Sequence, residues 1–275
     1  MKYSLKDKYV VITGASGGIG SALAAEMINK CGAKIIGVGR TESKLAAVRE
    51  KLGENFEYRT FDVSCPDDWK AFAGELVEKG VFPALIVNNA GVFPPIKRTF
   101  DEKAHVFESV IKTDFLSAVY ATEAMLPLLR KNAEPGIFNV CSSAALCTVA
   151  GTAAYTAAKR ALEGYTESLI LENGKSFYAA AAYPGVTMTD LFRSDGRVAK
   201  SGVEKIASSP EKVAKKMCRA IQKRKKRVVI GFDAVIMSFL ARFWPFLGLK
   251  LVAFVMKKSG AEVFDGLFDD DKQDK

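Results

Sequence analysis

Tyr155 and Lys159 are the residues whose types and spacing point most directly to chemistry. They lie four residues apart at the start of a predicted helical segment, so their side chains share one face about one turn apart. A tyrosine with an ordinary pKa of ~10 is a poor acid or base near neutrality, but a nearby ammonium group favours its phenolate. The pair can therefore donate a proton to a carbonyl oxygen or accept one from an alcohol.

Two serines are candidates for holding the reacting oxygen. Ser142 and Ser143 directly follow a predicted strand that ends at Cys141. A hydroxyl group at the end of that strand could hydrogen-bond the oxygen and direct it toward Tyr155. Position in the chain alone leaves either serine in this role.

A glycine-rich turn predicts a second site, for phosphate. Residues 13–20 read TGASGGIG and stand between the first predicted strand and the first predicted helix. Glycines permit a tight turn and let backbone N–H groups come close to a pyrophosphate, and the helix N-terminus adds the positive end of its dipole. This placement within a strand–helix unit favours dinucleotide binding over a turn that merely needs glycine.

The end of the second predicted strand bears on the choice of dinucleotide. Residues 37–40 read GVGR, with no acidic residue where a carboxylate would bind the adenosine ribose 2′-hydroxyl of NAD. Arg40 can instead pair with the 2′-phosphate of NADP. Glu42 lies past the turn, where it is better placed to open the next helix. We therefore expect NADP as the cofactor, the alternative being that Arg40 is a solvated surface residue.

The elements that position these residues alternate in type along the first 190 residues. Short β-branched runs predict strands, and amphipathic stretches between them predict helices. The predicted strands cover residues 9–13, 34–38, 56–61, 84–88, 136–141, 177–183 and 228–231. The predicted helices cover residues 19–31, 42–52, 67–78, 101–130, 155–172 and 210–222, and residues 185–209 are interpreted as a long loop or lid.

This alternation predicts an α/β fold with a Rossmann-type, doubly wound parallel sheet. Such sheets bind ligands at the carboxyl ends of their strands, so the candidate residues are expected directly after strands. Neither a repeat nor a low-complexity linker interrupts the pattern, which favours a single domain. Within it, residues 1–231 form the predicted nucleotide-binding catalytic part, and residues 232–275 form an apolar helical extension with an acidic tail.

With these residues in place, the sequence resembles the short-chain dehydrogenase/reductase family. The matching motifs occur in family order and at family spacing over about residues 8–190. They are residues 13–20, Asp62-Val63, residues 88–91 (NNAG), the serines, the Tyr155/Lys159 pair and residues 183–189 (YPGVTMT). The resemblance implies a Rossmann-type fold and hydride exchange between a nicotinamide and a carbonyl or alcohol.

The same resemblance implies catalytic roles. Tyr155 is the expected acid/base, and Lys159 is expected to hold the nicotinamide ribose and to lower the tyrosine pKa. The family serine usually stands thirteen residues before the tyrosine, which selects Ser142 over Ser143.

The resemblance also implies a set of cofactor-binding residues. They are Gly14, Ser16, Gly17, Ile19, Gly20, Arg40, Asp62, Val63, Asn89, Ala90, Gly91, Tyr155, Lys159, Pro184, Gly185, Thr187 and Thr189. Asp62 and Val63 are expected near the adenine, Asn89 near the adenosine ribose, and Thr187 and Thr189 near the nicotinamide. The asparagine motif also reads as a simple strand-end turn, and Asp62 as the cap of the loop that follows it.

Asp114 departs from the family pattern. The family often places an asparagine at this point of the long central helix, in a proton relay through water to the lysine. An aspartate can still accept a hydrogen bond from water, but it lacks the amide donor and adds a negative charge. It would raise the pKa of Lys159, alter the relay or mark weakened catalysis. Because Ser142, Tyr155 and Lys159 are intact, we keep Asp114 among the candidate catalytic residues.

Composition restricts the class of protein. The 275 residues are 49% hydrophobic and 26% charged, an ordinary globular composition that excludes a disordered, collagen-like or disulfide-stabilised chain. Five cysteines without a C-x-x-C pair and a single histidine, His105, argue against a zinc site; we expect reduced thiols, and His105 on a helix surface.

No apolar stretch reaches the ~18–20 residues of a membrane span and no secretory signal is evident, so we expect a cytoplasmic location.

Positive charge and apolar residues are concentrated in the last third of the chain. Residues 191–275 hold 19 Lys/Arg against 10 Asp/Glu, whereas the first 190 residues are balanced. Residues 232–256 are rich in Phe, Leu, Val and Met, and Pro245 predicts two short helices there. A basic stretch before an aromatic amphipathic segment is typical of peripheral binding to a membrane surface. Packing over the substrate pocket and an oligomer interface are the alternatives, and no feature of the basic run indicates nucleic-acid binding.

Together these features predict an NADP(H)-dependent oxidoreductase that interconverts a ketone and a secondary alcohol. Its substrate is expected to be hydrophobic, lipid- or steroid-like, because the C-terminal third offers apolar contact and loosely resembles the extensions of family members that reduce such compounds. The alternatives are a reductase of small or acyl-carrier-bound keto compounds, and a non-catalytic NADP-binding protein. By analogy with the family we expect a homo-oligomer, a dimer or tetramer.

Overall fold

Parallel strands form the centre of the computed structural model, which describes residues 3–174, 176–189 and 207–268. The strands are β1 (Tyr9–Thr13), β2 (Lys34–Gly39), β3 (Phe56–Thr60), β4 (Leu85–Asn88), β5 (Gly136–Val140), β6 (Tyr178–Pro184) and β7 (Arg227–Ile230). Within the described residues they make one sheet in the order β3-β2-β1-β4-β5-β6-β7, and each neighbouring pair is parallel.

Helices connect the strands and cover both faces of the sheet. They are α1 (Gly18–Cys31), α2 (Glu42–Leu52), α3 (Pro66–Glu78), α4 (Ala104–Ile111), α5 (Ser117–Leu129), α6 (Ser143–Leu146), α7 (Ala153–Glu172), α8 (Pro210–Gln222), α9 (Phe232–Phe243) and α10 (Pro245–Lys258). Short 3₁₀ turns occupy Gly53–Asn55, Thr99–Asp101 and Glu262–Phe264.

Local sequence explains where several helices begin and end. α1 ends at Gly32, whose left-handed conformation (φ 63°) is accessible to glycine at low cost. α3 begins with Pro66, whose missing N–H has no intrahelical partner at that position anyway. α8 begins with Pro210 after Ser209, and the Ser209 hydroxyl accepts a hydrogen bond from the Lys212 N–H.

Two apolar layers hold the helices against the sheet. On one face α1 and α8 pack through Leu23, Met27 and Met217. On the other face α3 and α5 pack through Trp69 and Met125. The central strands β1 and β4 are buried on both faces, in agreement with their Val- and Ile-rich sequences. Each large apolar side chain buried in this way contributes about 1.5–3 kcal/mol to folding.

The predicted α/β class and the doubly wound parallel sheet are confirmed, and most predicted bounds agree within a residue or two. The predicted long helix over residues 101–130 is helical without a break from residue 104 to residue 129, but it is not a regular α-helix throughout. It divides into α4, a π-helical turn at Lys112–Leu116, and α5. The Ser117 hydroxyl donates a 2.6 Å hydrogen bond to the Thr113 carbonyl, and such a side-chain donor competes with the regular helical ladder. Asp114 lies inside this π turn.

The C-terminal extension folds as two helices that meet at Pro245, as the sequence predicts. Of the predicted loop at 185–209, residues 190–206 lie outside the described residues. Its described ends run side by side, with Ser208 exchanging backbone hydrogen bonds with Val186 and Met188. In the described part of the chain, no helix combines the length and hydropathy needed to cross a membrane.

Candidate active site

The glycine-rich turn between β1 and α1 has the geometry of a phosphate-binding loop. Gly14 adopts a φ of 63°, and a Cβ there would lie 3.0 Å from the Cα atom of Ala90. Gly17 caps α1, so the free N–H groups and the positive dipole end of the helix face the turn. Gly20 serves packing instead, because a Cβ there would collide with the Gly14 carbonyl oxygen.

Thr13 and Asn89 join this turn to the end of β4. The Thr13 hydroxyl accepts hydrogen bonds from the N–H groups of Asn89 and Ala90, each at 2.9 Å. The Asn89 amide donates to the carbonyls of Thr13 at 3.0 Å and Gly14 at 3.3 Å. The asparagine motif therefore forms a strand-end turn that braces the glycine turn, and Asn89, Ala90 and Gly91 of this motif also line a large cavity at the carboxyl ends of the strands.

Positive charge lies beyond the end of β2. Arg40 is exposed, and together with Ser16 and Lys44 it lines this large cavity at the carboxyl ends of the strands. Lys44 lies in the first turn of α2. Asp62 follows β3 and lines the same end of the cavity. Its carboxylate accepts hydrogen bonds from the Ser64 N–H at 2.9 Å and the Ser64 hydroxyl at 2.8 Å. Asp62 thus caps its own loop, which was one of the two interpretations of this residue.

Tyr155 and Lys159 lie together at the centre of the cavity wall, on one face of α7 as their spacing predicts. The Lys159 ammonium is 5.6 Å from the centre of the Tyr155 ring. It also donates a 3.2 Å hydrogen bond to the carbonyl of Val140, the last residue of β5. Phe93 packs edge-on against Tyr155, with 4.9 Å between the ring centroids. These contacts restrict the orientation of both side chains.

Asp114 forms a buried ion pair with Lys159. Its Oδ2 atom lies 3.2 Å from Lys159 Nζ, and its Oδ1 atom accepts a 2.7 Å hydrogen bond from the Val92 N–H. Only 2% of Asp114 and 3% of Lys159 is exposed. Gly91 leaves room for the pair, because a Cβ there would lie 2.8 Å from Asp114 Oδ2. The residue that departs from the family pattern therefore contacts the lysine directly.

Burial and charge act in opposite directions on the pKa values of this cluster. Burial raises the pKa of Tyr155, and this effect exceeds the lowering by Lys159 and by a hydrogen bond with Ser142. Burial alone lowers the pKa of Lys159, but Asp114 and Tyr155 together raise it overall. Burial raises the pKa of Asp114 against the opposing Lys159 charge and Val92 N–H. Lys159 therefore does lower the tyrosine pKa, but by less than burial raises it.

Ser142 is the serine that engages Tyr155. It caps α6, where its hydroxyl accepts a 3.2 Å hydrogen bond from the Ala144 N–H. The same hydroxyl lies near Tyr155, where it lowers the pKa of the phenol by less than burial raises it. Ser143 is buried and also borders the cavity. This effect on Tyr155 favours Ser142, the serine that the thirteen-residue spacing selects.

The segment after β6 closes the far side of the cavity. The Thr187 hydroxyl donates to the Gly185 carbonyl at 3.0 Å, and the Thr189 N–H donates to the Thr187 carbonyl at 2.8 Å. The second residue of α9, Asp233, holds this segment, because its Oδ2 atom accepts a 2.7 Å hydrogen bond from the Val186 N–H. A Cβ at Gly185 would collide with this carboxylate.

A single cavity of about 960 Å³ joins these groups. Of all the catalytic and cofactor-binding residues expected from the sequence, Gly20 alone does not line it. The inner sides of α9 and α10 form the end of the cavity away from the glycine turn. Their lining side chains include Ile236, Met237, Leu240 and Val252. His105 is exposed on α4, as expected, and does not line this cavity.

Sequence reasoning missed several lining residues, of which Lys44, Asp233 and Val92 bear most directly on the site. Lys44 lies in the first turn of the predicted helix that begins two residues after Arg40, a position that could have identified it. Asp233 is the one acidic residue in the apolar stretch 232–256, directly after the last predicted strand, which was also a visible signal. Val92 donates its backbone N–H to Asp114, and the type of side chain at a position does not reveal such a backbone contact.

The residues present fit a nicotinamide dinucleotide. The glycine turn and the α1 N-terminus suit its phosphates, and the Tyr155/Lys159 pair lies in the same cavity. When bound, such a cofactor supplies or accepts a hydride. This sheet, turn and Tyr/Lys pair define a nicotinamide-dependent oxidoreductase acting on carbonyl and alcohol groups. Residues 8–230 match the family model described as short chain dehydrogenase, and the chain belongs to this short-chain dehydrogenase/reductase family.

Relatives and solved structures agree with this assignment. An NADPH-dependent pterin aldehyde reductase of Arabidopsis thaliana is 31% identical over 67% of this chain and 77% of that protein. Dehydrogenase/reductase SDR family member 7B of Danio rerio is 27% identical over 94% of this chain and 89% of that protein, a span that includes the C-terminal helices. The crystal structure of a short-chain dehydrogenase/reductase from Burkholderia phymatum in complex with NAD has a TM-score of 0.81 at 21% identity, covering 89% of this chain and 96% of that chain.

Proposed function

We propose that this protein is an NADP(H)-dependent oxidoreductase that interconverts a bulky hydrophobic ketone and its secondary alcohol. The observation that carries this proposal is the continuity of the cavity. The same space that borders the Tyr155 hydroxyl extends to the apolar inner sides of α9 and α10. Cavities of up to about 1,000 Å³ lined mainly by apolar side chains with a few polar groups are typical of small-molecule sites.

The roles of the chain's own residues follow from their contacts. Ser142 and Tyr155 both line the cavity, and the serine lies near enough to lower the pKa of the phenol, so an oxygen bound between them is held beside the phenol group. In the reductive direction Tyr155 donates its proton to that oxygen, and in the oxidative direction it accepts one. The Lys159 ammonium, held by Asp114 and the Val140 carbonyl, stabilises the phenolate left behind.

The choice of NADP rests on two cations at the adenosine end of the cavity. Arg40 and Lys44 share that wall, and β2 ends without an acidic residue. A guanidinium pairs with phosphate oxygens in a bidentate way, which a 2′-phosphate offers and a 2′-hydroxyl does not. The printed name of the Arabidopsis relative, an NADPH-dependent reductase, supports the same choice.

The cofactor proposal is tested with Arg40→Ala and Lys44→Ala, each compared with Lys51→Ala, an exposed lysine on α2 outside the cavity. Losing a charge-assisted hydrogen bond costs about 1.5–3 kcal/mol, so we expect the Kd for NADPH to rise roughly 10- to 100-fold in the first two variants. The Kd for NADH should change little. Equal affinity for the two cofactors in the unmodified protein, unaffected by Arg40→Ala, would refute the NADP assignment.

The substrate class is tested by NADPH consumption against small diketones, acyl thioesters, steroids and long-chain keto-lipids, with Tyr155→Phe as the blank. We expect Tyr155-dependent turnover to favour the bulky apolar compounds. Leu240→Gln, which places an amide on the inner wall, should raise their KM, whereas Leu171→Gln on the exposed side of α7 should not. Turnover confined to small or acyl-carrier-like compounds would favour the alternative reductase and leave the C-terminal helices as packing elements.

The outer face of α9 and α10 supports peripheral association with an anionic membrane surface. Its exposed apolar side chains include Phe232, Phe239, Phe243, Trp244, Phe246, Leu247 and Phe254. Exposed cations accompany them at Arg242, Lys250, Lys257 and Lys258, and the single acidic residue of the two helices, Asp233, faces Val186 instead. Aromatic side chains beside basic ones suit the boundary between lipid head groups and acyl chains. A lipid-like substrate could then enter the cavity from the surface that these helices contact.

Vesicle sedimentation tests this association. The double variant Phe239→Ser/Phe246→Ser removes two exposed rings from the outer face, and Phe100→Ser removes an exposed ring that lies on Thr99–Asp101. Each ring that enters lipid is worth about 1.5–3 kcal/mol, so the double variant should bind phosphatidylserine vesicles at least ~100-fold more weakly, and Phe100→Ser normally. Absent vesicle binding combined with a dimer that the double variant dissociates would assign this face to a second copy of the chain.

A further inference from the structure

Two cysteines that play no part in the active site lie in contact on the far side of the molecule. Cys31 is the last residue of α1, and Cys218 lies in the third turn of α8. Their sulfur atoms are 3.3 Å apart, although 187 positions separate them in the chain. A disulfide has an S–S length of ~2.05 Å, so the two sulfurs need to approach by only about 1.25 Å to bond.

We propose that Cys31 and Cys218 form an oxidisable dithiol site, in which a hydroperoxide oxidises Cys31 and Cys218 resolves it to a disulfide. The inference is independent of the proposed substrate, because it concerns a pair of thiols outside the cavity. Three observations support the proposal. The two sulfur atoms are in contact, the two thiols have different surroundings, and the bond would link two helices.

The two thiols have different surroundings, which assigns their roles. Cys31 is half-buried, whereas Cys218 is fully buried, so an oxidant reaches Cys31 first. The Cys31 sulfur also accepts a 3.4 Å hydrogen bond from the Gln222 amide. Hydrogen bonds from Cys218 and Gln222 lower the pKa of Cys31, against burial and the nearby Glu26 carboxylate. The pKa of Cys218 is raised, through its contact with Cys31 and its burial.

The other cysteines lack this combination. Burial raises the pKa of Cys141 to about 12 and also raises the pKa of Cys147. Both are buried near the active site. Cys65 is half-buried at the start of α3 and serves as an internal comparison. Because reactivity follows thiolate character and access together, Cys31 is the expected first target.

The chemistry balances in two steps. The Cys31 thiolate attacks one peroxide oxygen, the O–O bond breaks, and hydroxide leaves, which converts the sulfur to a sulfenic acid. Cys218 then attacks that sulfur, an S–S bond forms and the S–OH bond breaks. The displaced hydroxyl leaves as water with the Cys218 proton. In total the two thiols lose two electrons and two protons, and the hydroperoxide takes them up. A dithiol reductant reverses the reaction by thiol–disulfide exchange.

The bond would join two helices that both start at the cavity. The N-terminal ends of α1 and α8 lie together there, since a Cβ on Gly18 would be 3.2 Å from the Pro210 side chain. Their C-terminal parts lie together at Cys31 and Cys218. A disulfide would therefore tie α1, whose N-terminus faces the glycine turn, to α8. Closing so long a loop restricts the unfolded chain strongly, which stabilises the fold.

The test is thiol counting in the full-length protein. Reduced protein is treated with a small excess of hydrogen peroxide, quenched, unfolded and alkylated, and its intact mass and peptides are measured. We expect five alkylated cysteines before oxidation and three after it, with one peptide pair linking residues 31 and 218. Dithiothreitol should restore five. The melting temperature of the oxidised protein should rise by roughly 5–10 °C.

Matched serine variants make the result specific. Cys31→Ser should abolish the linked peptides and the rise in melting temperature, whereas Cys65→Ser should retain both. Should Cys31→Ser fail to fold, the rates of alkylation in the unmodified protein decide: Cys31 must react before Cys65, Cys141 and Cys147. Five alkylated cysteines after peroxide, a disulfide between other cysteines, or Cys31 sulfinic acid with Cys218 still free would each overturn the proposal.

Discussion

Replacing Asp114 by asparagine gives the most informative view of the active site, because it removes one charge and keeps the size of the side chain. Asp114 Oδ2 lies 3.2 Å from Lys159 Nζ in a buried pair. At an effective dielectric constant of about 20 this separation corresponds to ~5 kcal/mol of attraction. Asp114 raises the pKa values of both Lys159 and Tyr155. The variant should therefore lower both.

The pH dependence of alcohol oxidation reports Tyr155. The rate rises with pH as Tyr155 loses its proton, so the rising limb of the profile should move to lower pH in Asp114→Asn. Because the asparagine amide and structural relaxation offset much of the ~5 kcal/mol, we expect a displacement of at least about one pH unit, equivalent to ~1.4 kcal/mol.

The assay is kcat/KM for NADP reduction with an alcohol substrate from pH 5 to pH 11, alongside NADPH affinity and thermal unfolding. Glu108→Gln, which removes an exposed charge from α4, is the matched control and should leave the profile in place. A profile for Asp114→Asn that overlays the unmodified enzyme would refute the reasoning. It would mean that burial keeps Asp114 protonated and that the pair carries no charge.

Three further outcomes are expected. Tyr155→Phe should reduce kcat by about 10²- to 10⁴-fold while NADPH affinity, measured by fluorescence titration, stays within twofold. Asp233→Ala should raise the substrate KM several-fold through loss of the Val186 anchor, and Asp233→Asn, which can still accept that hydrogen bond, should restore it. Arg59 holds the pKa of Glu75 down to about 2, from an ordinary 4.5, so their pair stabilises the fold above pH ~4.5 and is lost as the pH falls toward 2. Urea unfolding should show Glu75→Gln less stable by about 1 kcal/mol at pH 6, with the difference shrinking by pH 3.

The sequence predicted the sheet well because its signals are local. Each strand of the parallel sheet is a short β-branched run, and each connecting helix has its own apolar face, so neither depends on distant contacts. The active-site motifs follow strands for the same reason: the carboxyl ends of parallel strands meet at one edge. The sequence therefore places most of the candidate residues at the one edge of the sheet where the cavity lies.

What the sequence did not reveal depends on pairs of residues far apart in the chain. The contact between Cys31 and Cys218 joins the first helix to the eighth, and neither cysteine stands in a recognisable motif. The anchoring of Val186 by Asp233 likewise joins β6 to the C-terminal extension. Gly20 packs against the glycine turn and does not line the cavity, because α1 passes very close to that turn. No local pattern encodes such distances.

The π-helical turn at Lys112–Leu116 has a consequence for how the chain tolerates changes in length. It accommodates one extra residue, so the helical frames before and after it are out of phase. Val110 packs against α7 in one frame, and Ala121 packs toward the sheet in the other. Deleting one residue from the turn would restore a regular helix and rotate one half by about 100° relative to the other. A one-residue deletion here should therefore carry Asp114 away from Lys159 as effectively as a substitution at either residue.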